Sequence, residues 1–235
     1  MKETGRLSEA ERAFTRAATG AARRNRRRQA AEAHHDLLLL TAEQGRIQEA
    51  EEHALFAADL YPRYHKRLPY LAHDLAYALV RNRQYGEAVP LLDSFLREIP
   101  KGQVLPALST FAWAAAGTGL VERFRTIETE VVDLLARETE HEFAPASFIH
   151  LAEGARLLML WDQAEAHALR ATHAAEIRND PTLLQEARLL LSDIRERRSP
   201  AAVASMPPIS RKLSLVSRRL IGRLQQWRPR PAPTP

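Results

Sequence analysis

The nine histidines of the chain are the side chains best suited to bind a metal ion or to transfer a proton near neutral pH. A metal site on a helix needs two ligands three or four residues apart, as in His-Glu-x-x-His. His34 and His35 are instead adjacent, and His167 and His173 are six residues apart. The sequence therefore predicts no metal centre and no cofactor.

Other catalytic patterns are also missing from the sequence. The nine glycines form neither a phosphate-binding loop nor a Gly-x-Ser-x-Gly nucleophile elbow. The absence of cysteine excludes disulfides, thiolate metal sites and a cysteine nucleophile. Neighbouring carboxylates such as Glu51 and Glu52 are typical of solvated helix faces in a chain that is 27% charged. We expect a protein that is not an enzyme and has no small-molecule substrate.

An internal repeat indicates which elements position the remaining side chains. Residues 5–11 (GRLSEAE) and 45–51 (GRIQEAE) share five of seven residues. Weaker copies continue along the chain, so that equivalent residues recur at intervals of 40, 38, 36 and 40: Ala10, Ala50, Ala88, Phe124 and Ala164. Self-similarity at such a period is typical of stacked helical units.

Each repeat reads as a helical hairpin. Within residues 68–98, apolar side chains recur at helical spacing on both sides of a polar break at 81–84. Pro100 then stops the second helix, and Pro62 does so in the preceding repeat. Gly45, at the turn of that repeat, suits the left-handed backbone conformation that often closes a helix.

These features resemble the tetratricopeptide repeat family, whose unit is a helix-turn-helix of about 34 residues. The matching positions are a small residue in the middle of the first helix and an apolar residue that opens the second: Ala76, Ala112 and Ala152, and Leu7, Ile47, Tyr85, Val121 and Trp161. Leu38, Phe124 and Glu128 depart from the pattern, and the spacings exceed about 34 residues. The resemblance implies an all-α, right-handed α-solenoid of stacked helical hairpins, with about eleven helices.

The expected boundaries follow from the repeats. A repeat domain over 1–197 would comprise a half repeat at 5–20, hairpins at 27–62, 68–100, 103–138 and 144–178, and a capping helix at 182–197. Asp180 and Pro181 suit the N-cap and first turn of that last helix. A linker at 198–208 and a tail at 209–235 would follow.

The first helix lacks a partner at its outer side. Leu7, Ala10, Phe14 and Ala17 would form an open apolar face there. Each large apolar side chain left in water forgoes roughly 1.5–3 kcal/mol. We expect the tail, a second copy of the chain in a homodimer, or an upstream domain to cover this face.

Charge is segregated along the chain. Residues 1–30 carry nine basic and three acidic side chains, residues 31–197 carry seventeen and twenty-six, and residues 198–235 carry eight and none. The arginine-rich segment 23–28 is interpreted as the solvated opening turn of a helix, with a phosphate site as the alternative.

The tail reads as a basic amphipathic helix followed by a proline-rich end. Its candidate contact residues are Arg211, Lys212, Arg218, Arg219, Arg223 and Trp227. Three interpretations stay open. The helix packs on its own repeat domain, it attaches to an anionic membrane or to nucleic acid, or it is disordered until a partner binds.

The family resemblance implies that the first helices of the hairpins line a concave groove that contacts peptides. The candidate groove residues are His35, Tyr70, His73, Tyr77, Arg81, Trp113, Glu153 and Arg156. Tyr77 and Trp113 are expected as apolar anchors, while Arg81, Glu153 and Arg156 would fix the direction of the peptide. Binding of a chaperone tail is disfavoured, because His35, Leu39 and Asp74 occupy positions where that clamp requires Lys and Asn.

The sequence thus predicts a bacterial, cytoplasmic adaptor that binds a peptide segment of another protein. The alternative hypotheses are the sensor half of a bacterial signalling or transcription regulator, and a factor that attaches to anionic surfaces through its tail.

Overall fold

A computed structural model describes residues 2–62, 65–96, 102, 104–137, 141–197 and 215–225, without the side chains of residues 2–6. These residues form eleven α-helices and no strand: α1 (Lys2–Arg23), α2 (Arg27–Glu43), α3 (Ile47–Leu60), α4 (Leu68–Arg81), α5 (Tyr85–Phe95), α6 (Val104–Gly117), α7 (Val121–Arg137), α8 (Ala144–Leu157), α9 (Trp161–Ile177), α10 (Pro181–Arg195) and α11 (Leu215–Gln225). The all-α prediction is confirmed. The right-handedness of a solenoid stays a prediction.

The chain divides into two compact units. Unit 1 contains residues 1–99 and 211–235, and unit 2 contains residues 100–210. In unit 1, α2 packs against its hairpin partner α3 and against α4, the first helix of the next hairpin. In unit 2, α6 packs against α7 and α8, and α8 packs against α9 and α10. Within each unit, first helices of successive hairpins therefore lie side by side, as a helical repeat requires.

The turns between paired helices share one backbone conformation. Gly45 and Gly119 have φ angles of 73° and 75°, which confirms the left-handed conformation expected at Gly45. Arg83 and Met159 take the same region at the equivalent turns, with φ of 60° and 59°. The amide that follows the left-handed residue donates back to the first helix, as from Arg46 to the Thr41 carbonyl at 2.9 Å.

Small residues allow the helices of a hairpin to approach closely. Ala50 and Ala88 are fully buried in the second helices of their hairpins. Phe124 takes the equivalent place in α7 and is also fully buried. Room for its ring comes from Gly154 on α8, where an added Cβ would stand only 2.6 Å from Phe124 Cε2. A large residue in one repeat is thus matched by a missing side chain in the next.

Helix α10 begins as its sequence predicts. The Asp180 carboxylate accepts hydrogen bonds from the backbone amides of Thr182 and Leu183 at 3.1 and 3.0 Å. Pro181 occupies the first turn, where no amide is needed. Helix α10 packs against α9 and α8.

The first helix is longer than the predicted half repeat at 5–20. It packs against α2 in unit 1, and its residues Ala18 and Ala21 are buried. Leu7 and Phe14 are partly exposed, and Ala17 is exposed.

The tail helix α11 packs on unit 1. Its contacts are with α3, α5 and α4, and Val216, Leu220 and Leu224 are buried there. Leu215, by contrast, is 57% exposed. For residues 215–225 the structure therefore shows the first of the three interpretations, in which the tail lies on its own repeats. Arg211, Lys212, Trp227 and the expected linker at 198–208 lie outside the described residues.

None of the helices in the described parts of the chain is both long and apolar enough to cross a lipid bilayer.

Candidate functional site: a pocket between the first helices of unit 1

A cavity of about 470 Å³ opens between α2 and α4. Its lining combines basic, acidic and apolar side chains: Arg28, His35, Asp36, Leu39, Lys66, Arg67, Tyr70 and Asp74. His35 and Tyr70 belong to the groove residues that the sequence predicts. The other six are identified only by the structure, although Leu39 and Asp74 stand at positions where the sequence departs from the chaperone clamp.

The two helices that form the pocket run in the same direction. Arg28, near the start of α2, lines the pocket with Arg67, which immediately precedes α4. Further along, His35 of α2 contacts Asp74 of α4, with 2.8 Å between Nε2 and Oδ2. The helix starts therefore lie at one end of unit 1, and their partial positive charges add there.

A chain of hydrogen bonds includes two residues of the pocket lining, His35 and Asp74. Because Asp74 accepts at Oδ2, His35 donates from Nε2, and Nδ1 of His35 lies 3.4 Å from the Tyr61 hydroxyl. His73 Nδ1 lies 3.2 Å from the other carboxylate oxygen of Asp74. Burial alone would raise the pKa of Asp74, but the hydrogen bonds with His35 and His73 outweigh burial and lower the pKa to about 2. Asp74 is therefore ionised and its charge is satisfied from within the protein.

The order Asp74, His35, Tyr61 places a carboxylate, an imidazole and a hydroxyl in line, which is also the order of a nucleophilic triad. Here the hydroxyl is inside the protein, since Tyr61 is only 1% exposed. Burial also raises the pKa of Tyr61, which disfavours the phenolate that a nucleophile requires. The arrangement is suited to fixing α2 against α4 beside the pocket.

The rim of the pocket is basic. Lys66 and Arg67 are exposed, and Arg28 pairs with the neighbouring Glu32 at 3.0 Å. Burial raises the pKa of Asp36, so its ionised form is disfavoured by the surroundings. The three cations of the lining outnumber its two carboxylates, Asp36 and Asp74, so the rim offers positive charge to a ligand.

Two side chains give the pocket an apolar part. Leu39 is 38% exposed although it lies on a helix that is otherwise well packed, and Tyr70 is partly exposed. An aromatic ring and an aliphatic side chain beside cations suit a ligand that carries both an apolar and an acidic group.

The remaining predicted groove residues of unit 1 do not line this pocket. His73 lies beside it and contacts Asp74, as described above. Tyr77 is partly buried and Arg81 is exposed, further along α4. The expectation that Tyr77 and Arg81 act together with residues of unit 2 in one groove stays a prediction.

In unit 2 the predicted groove residues make contacts within the unit. Trp113 is only 8% exposed, and its ring lies 5.3 Å from that of His150 on α8. Glu153 and Arg156 pair with each other at 2.6 Å. The burial of Trp113 favours a packing role over that of an accessible anchor. Contact of these three residues with a peptide stays a prediction.

Two polar contacts between neighbouring repeats were not predicted from the sequence. Ser109 of α6 lies 3.0 Å from His150 Nδ1 of α8. Glu128 of α7, buried at a position where the repeat favours an apolar residue, is 2.5 Å from both Gln163 and His167 of α9. The sequence contains one signal for the second contact, which is a carboxylate, Glu128, at a position where the repeat favours an apolar residue. A carboxylate in a core position requires hydrogen-bond partners.

Two arginines of α11 contact residues at the C-terminal end of α3 in unit 1, and a third is exposed. Arg219 pairs with Asp59 at 3.3 Å, and Arg223 donates to the Tyr61 carbonyl at 2.9 Å. Burial lowers the pKa of Arg223. Arg218 is exposed. The predicted tail residues Arg211, Lys212 and Trp227 are outside the described part of the chain.

Within the described ranges, no three side chains among His, Asp and Glu are grouped so that they could hold a metal ion. No family model, no curated protein and no solved structure matches this chain.

Proposed function

We propose that the protein is a non-catalytic adaptor that binds a peptide segment of another protein in the pocket between α2 and α4. The observation that carries the proposal is the combination of an exposed Leu39 and a partly exposed Tyr70 with a basic rim in one cavity of about 470 Å³. The resemblance to tetratricopeptide repeats supports it, since first helices line the binding surface in that family.

The charge of the pocket narrows the kind of peptide. Both oxygens of Asp74 already have hydrogen-bond partners within the protein, His35 and His73. Lys66 and Arg67 then attract an acidic side chain or a terminal carboxylate, while Leu39 and Tyr70 contact an adjoining apolar side chain. The expected ligand is an extended segment with an acidic residue next to a large apolar one.

Selection from a library of random peptides about twelve residues long tests the proposal. The full chain serves as bait, and the double variant Leu39→Ala/Tyr70→Ala is used for counter-selection. Enriched peptides should contain the acidic-apolar pair, and their affinity should fall at least tenfold, or about 1.4 kcal/mol, in the double variant.

Two controls accompany the binding measurement. Phe56→Ala and Leu189→Ala remove similarly exposed apolar side chains elsewhere, 53% and 62% exposed, and should leave the affinity unchanged. Lys66→Gln should weaken acidic peptides more than neutral ones. If no peptide distinguishes the wild type from the double variant, this pocket is not the binding site.

A further inference from the structure

The two basic ends of the sequence meet at one end of unit 1. Arg27, at the start of α2, donates to the Asp59 carbonyl at 3.2 Å, where α3 is about to end. Arg219 of α11 lies 3.3 Å from the carboxylate of the same Asp59, although the two residues are 160 positions apart in the sequence. Arg223 donates to the carbonyl of Tyr61 at 2.9 Å. Segments that the sequence separates are thus joined around the C-terminal end of α3.

This basic surface extends from α11 to the rim of the peptide pocket. Arg26, Arg27 and Arg28 line a shallow cavity at the start of α2. Arg28 also lines the pocket described above, together with Lys66 and Arg67. We call the whole surface the basic end of unit 1, and its members are Arg26, Arg27, Arg28, Lys66, Arg67, Arg219 and Arg223.

The cations of the basic end outnumber the carboxylates beside it, which are Glu32, Asp36, Asp59 and Asp74. The starts of α2 and α4 lie there, and neither helix has a side-chain cap on its first amides. The exposed Asp59 carboxylate pairs with Arg219, and Glu32 pairs with Arg28. The local potential is therefore positive.

One role of these arginines is to stabilise the end of α3, whose last carbonyls favour cations. That role uses only part of their hydrogen-bonding capacity, because a guanidinium has five N–H donors. The side chains of Arg26 and Lys66 form no hydrogen bond or ion pair with any described residue. Donors therefore remain for an external anion.

We propose that the basic end binds the phosphodiester backbone of a nucleic acid. A planar guanidinium group can donate two parallel hydrogen bonds to the oxygens of one phosphate. A positively charged surface also complements a polymer that carries one negative charge on each nucleotide. From the sequence, residues 23–28 are interpreted as a solvated helix turn, with a phosphate site as the alternative, and attachment to nucleic acid is one of three interpretations of the tail. The proposal instead assigns the binding surface jointly to α2, the turn before α4 and α11.

A membrane surface is disfavoured as the occupant. Binding of a basic amphipathic helix to lipid depends on burial of its apolar face in the bilayer. In α11 the apolar face is already packed on the protein, since Val216, Leu220 and Leu224 are buried against unit 1.

The proposal does not depend on peptide binding, and separate variants test it. Arg26→Gln/Arg27→Gln/Arg219→Gln changes the basic end and leaves Leu39 and Tyr70 intact. The probe is a fluorescent DNA or RNA duplex of about 24 base pairs, titrated by anisotropy at several salt concentrations. The triple variant should bind at least tenfold more weakly. The slope of log affinity against log salt should decrease by about two to three, because each lost phosphate contact removes about 0.9.

Matched variants separate specific contacts from net charge. Arg125→Gln/Arg137→Gln/Arg188→Gln removes three exposed charges from unit 2 and should leave the affinity within about twofold of wild type. Arg26→Lys/Arg27→Lys/Arg219→Lys should retain the salt slope, which distinguishes lost contacts from misfolding.

A fourth variant tests the joint surface. Leu220→Gln/Leu224→Gln keeps the charge of α11 but removes the side chains that hold it on unit 1, so affinity should fall. If it does not fall, binding does not require α11 to be docked on unit 1, and the joint surface is refuted. Equal losses of duplex affinity in the two Arg-to-Gln triple variants would also refute the proposal. So would binding to vesicles containing phosphatidylserine that is stronger than binding to the duplex, or binding to polyglutamate that equals it.

Discussion

His35 on α2 and Asp74 on α4, 39 residues apart, are joined by a hydrogen bond of 2.8 Å that links two successive hairpins. The separation equals about one repeat, so equivalent helices are connected by a polar contact in addition to apolar packing. Glu128 and His167 are also 39 residues apart and connect α7 to α9 in unit 2. Each unit therefore contains a carboxylate–histidine contact between neighbouring repeats.

Replacing Asp74 by Asn tests the contribution of the first contact. The substitution removes the charge that His35 and His73 both approach, and we expect the free energy of unfolding to decrease by about 2 kcal/mol. Chemical denaturation measures it. Asp133→Asn, at an exposed position of α7, should change the unfolding free energy by less than about 0.5 kcal/mol. Similar values for the two variants would mean that the contact does not stabilise unit 1.

Stability should decrease as the pH falls below the ordinary histidine value of 6.5. His34 and His53 lie with their Nδ1 atoms 3.2 Å apart, and burial lowers the pKa of both. Between the lowered pKa values and 6.5 the unfolded chain holds more protons than the folded one, so lowering the pH through this window favours unfolding. The charged groups that act on His53 are Glu49, Glu52, Arg46 and Glu11.

Thermal melting at about pH 7.5 and pH 5.5 measures this effect. His34→Gln/His53→Gln should reduce the decrease in melting temperature between the two conditions, whereas the exposed His173→Gln should not. Some decrease should persist, because burial also lowers the pKa of His65. An unchanged pH dependence in the double variant would contradict the prediction. The stabilisation that goes with the low pKa of Asp74, about 2, is fully present above its ordinary value of 3.8 and is lost only as the pH falls below that value, so it does not change between the two conditions.

The tail helix should contribute to the stability of unit 1. Leu220 is 1% exposed, and Leu220→Ala should lower the free energy of unfolding by roughly 2–5 kcal/mol. Leu215→Ala, on the same helix but 57% exposed, should have an effect below about 0.5 kcal/mol. Denaturant unfolding of the full chain compares them. Equal effects would show that α11 is not docked in solution.

Two glycines in helices should respond in opposite ways to the same substitution. At Gly154 a Cβ would meet the Phe124 ring at 2.6 Å, so Gly154→Ala should destabilise the protein by about 1–3 kcal/mol. At Gly222 in α11 nothing lies within 4 Å, so Gly222→Ala should stabilise by about 0.5–1 kcal/mol through helix propensity. Melting temperatures distinguish the two. Stabilisation by both would mean that the packing of Phe124 can relax.

Most of the helical architecture could be predicted because its signals are local. Apolar spacing, the left-handed residue at Gly45 and the cap at Asp180 are read within a few positions, and the helices lie within or close to the predicted segments. The division into two compact units has no local signal, and the spacing of the repeats predicts one domain over residues 1–197.

The candidate site was less predictable because its contacts join distant segments. His35 and Tyr70 follow from their helix positions, but Lys66 and Arg67 lie in a turn that periodicity does not describe. Trp113 illustrates the opposite case, since an aromatic residue suits an anchor and a core position equally well, and only its burial beside His150 favours the core. Equally, nothing near Arg27 in the sequence indicates that Arg219 shares its partner Asp59.

The membership of α11 in unit 1 has a consequence for the order of synthesis. Residues 1–99 of unit 1 precede unit 2 in the sequence, but the helix that packs on α3 and α5 is translated after the whole of unit 2. During that interval the ribosome carries a chain whose α3 and α5 still lack this partner, while unit 2 can already fold. A nascent chain therefore exposes an apolar surface on α3 and α5 that is buried in the finished protein. A chaperone could bind this surface only until α11 emerges from the ribosome.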